Sequence, residues 1–150
     1  MDEVRVKVKL TNALDRALAR RGKIEKNEIR TYEADALVDT GAVSSVVPAN
    51  VMSQLGLLSD GQRVAEYADG RNDVVDLTEP ITFNIIGRET TEGAMVLGDE
   101  VIIGQTVLEV LDLQVDCPNQ KLIPNPAHPD QPVVKIRRVK IRRRKIIYGK

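Results

Sequence analysis

Val4 to Leu10 alternates Val, Val, Val and Leu with Arg, Lys and Lys, the two-residue period of a strand with one buried face. The pattern then changes. Leu14 and Leu18 stand four apart, Thr11 occupies a capping position and Gly22 a terminating one, so a short helix is expected from Thr11 through Arg21. Ile29 to Val38 reads as a long strand that becomes small and apolar just before Asp39, which points to a buried position there. Ser45-Val46-Val47 is a second short strand, and Pro48, with its fixed φ, opens a helix to Leu55 that Gly56 ends. Val64 to Asp76 contains Ala68-Asp69-Gly70-Arg71, where Asp-Gly is expected to fill both central positions of a tight hairpin turn. Strands follow at Ile81 to Ile86, Thr91 to Leu97 and Val101 to Ile103, then a helix from Gln105 to Leu111. Leu113 to Cys117 pairs with Lys121 to Ile123 across Pro118-Asn119. Pro124, Pro126, Pro129 and Pro132 remove backbone donors, which divides the chain into a compact domain, 1–124, and a Pro-rich then basic tail, 125–150.

The pattern also repeats. Val46-Val47-Pro48 through Leu57 aligns, 56 residues on, with Ile102-Ile103-Gly104 through Leu113, with apolar positions coinciding at 46/102, 47/103, 51/107, 52/108, 55/111 and 57/113. Each copy is a short apolar strand entering a short helix, as in a domain folded from two related halves.

Composition narrows the class. A chain of 150 residues with 42% hydrophobic positions suits one domain. Aromatics make up 3% and Trp is absent, so the core must come from Val, Ile and Leu, which favours a sheet. A lone cysteine, Cys117, rules out an internal disulfide and reads as a small buried apolar residue. No h-region follows Met1, and no apolar run approaches the roughly 20 residues that span a bilayer. A cytoplasmic protein with no membrane partner is expected. Net charge is zero, yet residues 131 to 150 hold nine Lys or Arg and no acid, which leaves thirteen bases against twenty-two acids in residues 1 to 130. The plainer reading of that tail is a solvated segment resting on its own acidic body. The alternative is a contact with nucleic acid through residues 135 to 145, or with anionic lipid.

The candidate chemistry sits at Ala36-Leu37-Val38-Asp39-Thr40-Gly41-Ala42: a carboxylate directly after an apolar strand, then a hydroxyl, then a residue free to adopt unusual φ. A carboxylate in such a place is costly unless hydrogen-bonded or paired. An Asp-Thr-Gly turn cap is the plainer alternative. With Ser45, Val46 and Val47 beyond it, the Asp-Gly hairpin after it and Ile102-Ile103-Gly104 ahead of a helix, the segment resembles the active site of retroviral-type aspartic proteases, the retropepsin-like family. The resemblance covers roughly residues 29 to 123.

It implies a mainly β, small closed barrel-like acid-protease fold with one or two short helices, working as a homodimer on peptide or protein substrates without a cofactor. Asp39, Thr40 and Gly41 are then the catalytic set, Asp39 facing its copy in a second chain so that the two carboxyls share a proton and activate water. Thr40 would hydrogen-bond across the two-fold axis, and Ser45 would support the loop. Ala42, Tyr67, Ala68, Asp69 and Gly70 would contact substrate, the last four as the flap, with Arg71 an alternative to Tyr67.

Two positions depart from the retroviral pattern. Val43 and Gln105 stand where an acid and an Arg form a supporting ion pair, and losing both leaves no orphan charge. The hairpin is closer to the Ala-Asp-Gly hairpins of cellular and prokaryotic relatives. A catalytically inactive dimerisation or peptide-binding module on the same scaffold is the rival reading. His128 has no partner at metal spacing and reads as a solvated loop residue, so no metal site is expected. Asp99, Asp112 and Asp116 read as turn and cap acids.

Overall fold

The computed structural model describes residues 3–136. Strand β1 (Arg5–Asn12) leads into helix α1 (Ala13–Arg20), and β2 (Thr31–Val38) returns antiparallel to β1 with Leu10 opposite Tyr32. Thr11 is still in β1, paired with Thr31, so it does not cap the helix; Asn12 does. The Asn12 side chain accepts the Asp15 N–H at 3.0 Å and donates to Leu55 O at 2.7 Å, tying two distant segments through one buried amide. Gly22, at φ +72°, ends the helix as expected, with Lys23 N–H reaching Leu18 O at 2.8 Å.

Next come β3 (Val46–Val47), α2 (Ala49–Gln54), β4 (Ser59–Glu66), β5 (Asn72–Thr78), β6 (Ile81–Ile85), β7 (Arg88–Glu92), β8 (Met95–Val96), β9 (Ile102–Ile103) and α3 (Gln105–Leu111). Nine strands form one sheet in the order β4-β5-β8-β3-β9-β2-β1-β6-β7. Its two ends, β4 and β7, do not pair, so the sheet is curled but open where a closed barrel was expected. The described residues contain three α-helices and one 3-10 turn; the three helices are those the sequence pattern placed, one more than the resemblance implied. None is long and apolar enough to cross a membrane.

The core is aliphatic, as the composition requires. Leu10, Val47, Leu55, Ile81, Ile85 and Ile103 are fully buried around Phe83, the single Phe. Truncating Phe83 to Ala removes contacts worth about 3–5 kcal/mol. Asp15, itself buried, holds Arg30 by two charge-assisted bonds of 2.8 and 2.9 Å, and the guanidinium lies where a Cβ on Gly56 would sit.

The internal repeat is a physical two-fold. Val46 pairs antiparallel with Ile102, its own counterpart 56 residues away. Leu37 and Asp39 donate to Val101 O and Ile103 O, while Met95 and Leu97 donate to Ser45 O and Val47 O, the same ladder in each half. Helices α2 and α3 start 56 residues apart. The axis passes between β3 and β9.

A hairpin of β10 (Leu113–Asp116) and β11 (Lys121–Pro124) completes the regular structure. Cys117 was expected buried in a strand; it is exposed, because Gln120 N–H closes a turn onto its carbonyl at 3.2 Å. Beyond residue 124 the described chain turns back onto α3. Asp112, in the left-handed region at φ 56°, accepts Asn125 Nδ2, His128 Nδ1 and Val133 N–H at 3.0, 2.6 and 3.0 Å. His128 is therefore a bonded anchor rather than a solvated residue. Buried Arg88 donates to Leu111 O, Asp112 O and His128 O, closing the carbonyl end of α3. The basic residues from 137 onward lie outside the described residues.

Candidate active site

Asp39 begins the loop that joins β2 to β3, and β9 lies between those two strands, parallel to β2 and antiparallel to β3. The loop must therefore cross the end of β9, where α3 starts. Three donors at that helix start are given to it: Gly104 N–H to Ser45 Oγ at 2.9 Å, Gln105 N–H to Ala42 O at 2.7 Å and Thr106 N–H to Val43 O at 3.1 Å. Groups that a helix N-terminus ordinarily leaves unpaired thus hold the Asp39 loop in place. Ser45, fully buried, has the supporting role expected of it. Gly104 is required by contact, since a Cβ there would meet Ser44 C and O at 2.6 Å.

Within the loop, Gly41 N–H donates to Asp39 Oδ1 at 2.9 Å and Ala42 N–H to Asp39 O at 3.2 Å. These bonds aim the carboxylate. Asp39, Thr40 and Gly41 are all exposed, which corrects the expectation of a buried position: β2 ends at Val38 and the loop turns outward. Among the described residues the Thr40 hydroxyl has no partner.

An open groove of about 680 Å³ lies between this loop and β4. Asp39, Gly41 and Ala42 line it with Tyr67 and Ala68, so five of the eight candidate residues are brought together; Thr40, Asp69 and Gly70 lie outside its lining. Val46, Val64, Glu66, Met95, Leu97 and Ile102 also line it. Of these, Met95 and Leu97 carried no chemical signal in the sequence, and only the internal two-fold, which sets Leu97 opposite Asp39, identifies them.

The hairpin turn differs from its expected form. Gly70 alone takes positive φ, at +88°, and Tyr67 pairs with Arg71, so Ala68, Asp69 and Gly70 form a three-residue loop. Asp69 accepts Arg71 N–H at 3.0 Å and Arg71 Nε at 2.7 Å, bonds that hold its carboxyl below the usual range, backbone bond first. Arg71 lies 5.2 Å from the Tyr67 ring centre, and Tyr67 OH donates to Asp73 at 2.9 Å, which raises the phenol. Tyr67 thus faces the groove while packing on its own hairpin. Arg71 is spent on Asp69 and Tyr67. No cluster of His, Cys, Asp and Glu suited to a metal occurs among the described residues.

No family model and no curated protein matches the chain. Among solved structures, EIAV protease complexed with the inhibitor HBY-793 is similar, at 19% identity and a TM-score of 0.47, over 71% of this chain and 86% of that one.

Proposed function

We propose that the chain is one subunit of a retropepsin-like aspartic endopeptidase, with a catalytic pair made of Asp39 from each of two copies. The observation that carries this reading is the internal two-fold. The residue equivalent to Asp39 is Leu97, fixed by the same backbone bond, so the internal two-fold sets no second carboxylate opposite Asp39 within one chain. A second chain would bring the missing one, and the exposure of Asp39 and Thr40 in the single chain leaves both free to meet it.

Two carboxyls roughly 3 Å apart do not both ionise readily, so the pair holds one proton. The ionised Asp39 takes a proton from water as the water oxygen attacks the peptide carbonyl carbon. The protonated Asp39 gives its proton to the carbonyl oxygen. The resulting diol intermediate then collapses: its C–N bond breaks, the nitrogen leaves with a proton, and an acid and an amine result. Gly41 lets substrate backbone approach, Ala42 keeps the wall low, Thr40 bonds across the dimer axis, and the Tyr67 to Gly70 hairpin covers the substrate, whose backbone adds as a strand.

The test is incubation with a denatured-protein or peptide library from acidic to neutral pH, beside Asp39→Asn. Wild type alone should cut, and its specific activity should fall on dilution. Equal cutting by both proteins, or none by a dimeric wild type, contradicts the reading. Binding without cutting belongs to the inactive module.

A further inference from the structure

A second concave region lies on β1, β6 and β7, at the end of the sheet away from β4. In β6, Ile81, Phe83 and Ile85 face the core, so Thr82 and Asn84 face the opposite way. The register extends that outer row: Lys9 of β1 stands beside Asn84, Asn84 beside Glu89 of β7, and Thr82 beside Thr91. Helix α1 meets this row through Arg16, whose guanidinium donates to Glu89 at 2.9 Å. Asn84 Nδ2 donates to the other Glu89 oxygen at 3.0 Å. These bonds hold the Glu89 carboxyl below its usual range, Arg16 first, with the charge of Arg20 adding to the effect.

Two open clefts, of about 380 and 340 Å³, flank the Arg16–Glu89 pair, which lines both. The first adds Arg20 and the hydroxyls of Thr82, Thr90 and Thr91; the second adds Lys9 and Lys26. Four cations thus gather about one acid, although acids outnumber bases by twenty-two to thirteen over residues 1 to 130. Lys9, Arg20 and Lys26 are exposed, and none of the three is in an ion pair among the described residues. Glu33, beside Lys9 in β2, and Glu28, whose side chain accepts the Glu25 N–H, lie outside both linings. Glu89 is already satisfied by two donors, so the charge left to attract a ligand is that of the three unpaired cations, on either side of it.

A ligand that fits must bring negative charge to both clefts and little to the acid between them. A nucleic-acid strand carries a charge on every unit and presents bases that stack on aromatic rings, and no aromatic side chain lines either cleft. A peptide can space its carboxylates with neutral residues. We infer that the two clefts together are a docking site for an acidic segment of a partner protein, with carboxylates on Arg20 in one cleft and on Lys9 and Lys26 in the other. The site is separate from the Asp39 groove and does not depend on what that groove does.

The experiment measures fluorescence anisotropy of a labelled peptide of interspersed Glu and Ser, beside its Gln counterpart, on the full chain at low salt. The Glu peptide alone should bind, and added salt should weaken it. Arg20→Gln and Lys26→Gln should each weaken binding about two- to fivefold, the worth of an exposed ion pair. Glu89→Gln should strengthen it by a similar factor, because it removes the one acid and releases Arg16. Lys121→Gln, at an exposed base outside the clefts, should change nothing. No binding of the Glu peptide overturns the inference, as does binding that ignores Arg20, Lys26 and Glu89, which would assign it to the basic residues after 130. An oligothymidylate that binds more tightly than the peptide, with the same response to these variants, overturns the choice of a peptide. Asp39→Asn should bind the peptide as wild type does, so absence of cleavage leaves the docking standing and absence of docking leaves the endopeptidase reading untouched.

Discussion

Replacing Ser45 by Ala removes one oxygen from a fully buried site and leaves the Gly104 N–H, also buried, without the acceptor it reaches at 2.9 Å. The neighbouring acceptors cannot take its place, since Ala42 O and Val43 O are already engaged by the N–H groups of Gln105 and Thr106. An unpaired buried donor costs about 1–3 kcal/mol, a large part of the roughly 5–15 kcal/mol that separates folded from unfolded states. In a domain of this length each kcal/mol lowers Tm by about 2–4 °C. Urea unfolding should therefore show a lower midpoint with the slope m unchanged. Ser53→Ala, at an exposed position of α2, should stay within about 0.5 kcal/mol of wild type. A Ser45→Ala loss no larger than that of Ser53→Ala would refute the view that the hydroxyl pins the Asp39 loop to α3.

Gly104→Ala forces a Cβ against the Ser44 carbonyl and should cost about 1–3 kcal/mol by the same measurement, because backbone rather than a mobile side chain stands in the way. Arg88→Met strips the guanidinium bonds from Leu111 O and Asp112 O at the end of α3 and from His128 O, leaving Asp112 O only the Asn125 N–H, and should lower stability by at least about 2 kcal/mol, with faster amide exchange at Asn125 and His128. The Asp15 carboxyl is held below its usual value, chiefly by the Arg30 side-chain bond. That stabilisation is present above an unfolded value of about 4 and is lost as pH falls through the folded value. Asp15→Asn should then flatten the fall in stability below about pH 4; an unchanged slope contradicts the assignment.

The elements that position the site were legible because each follows from local chemistry. Alternation marked β1, an apolar strand ending in Asp-Thr-Gly marked the turn at Asp39, and the 56-residue periodicity marked the paired halves before any contact was known. Gly22 stood where the helix needs a left-handed residue. What escaped depends on tertiary partners. Thr11 and Asn12 are equivalent as caps in sequence, and the choice is made by pairing of Thr11 with Thr31 and by Leu55 O, which takes the Asn12 amide. His128 looked solvated because its partner, Asp112, is distant in the chain and turned inward by a left-handed backbone. The exposure of Asp39 escaped for a different reason. An apolar strand shows where burial runs, and not where it stops.

The central claim is that each working groove takes Asp39 from two chains. Wild type and Asp39→Asn are mixed at fixed total protein, allowed to exchange subunits, and assayed on a peptide the wild type cuts. If both carboxyls are required, an equimolar mixture should retain about a quarter of the all-wild-type rate, the share of dimers with two intact sites. Retention of about half, the proportion expected if each chain acts alone, would contradict it.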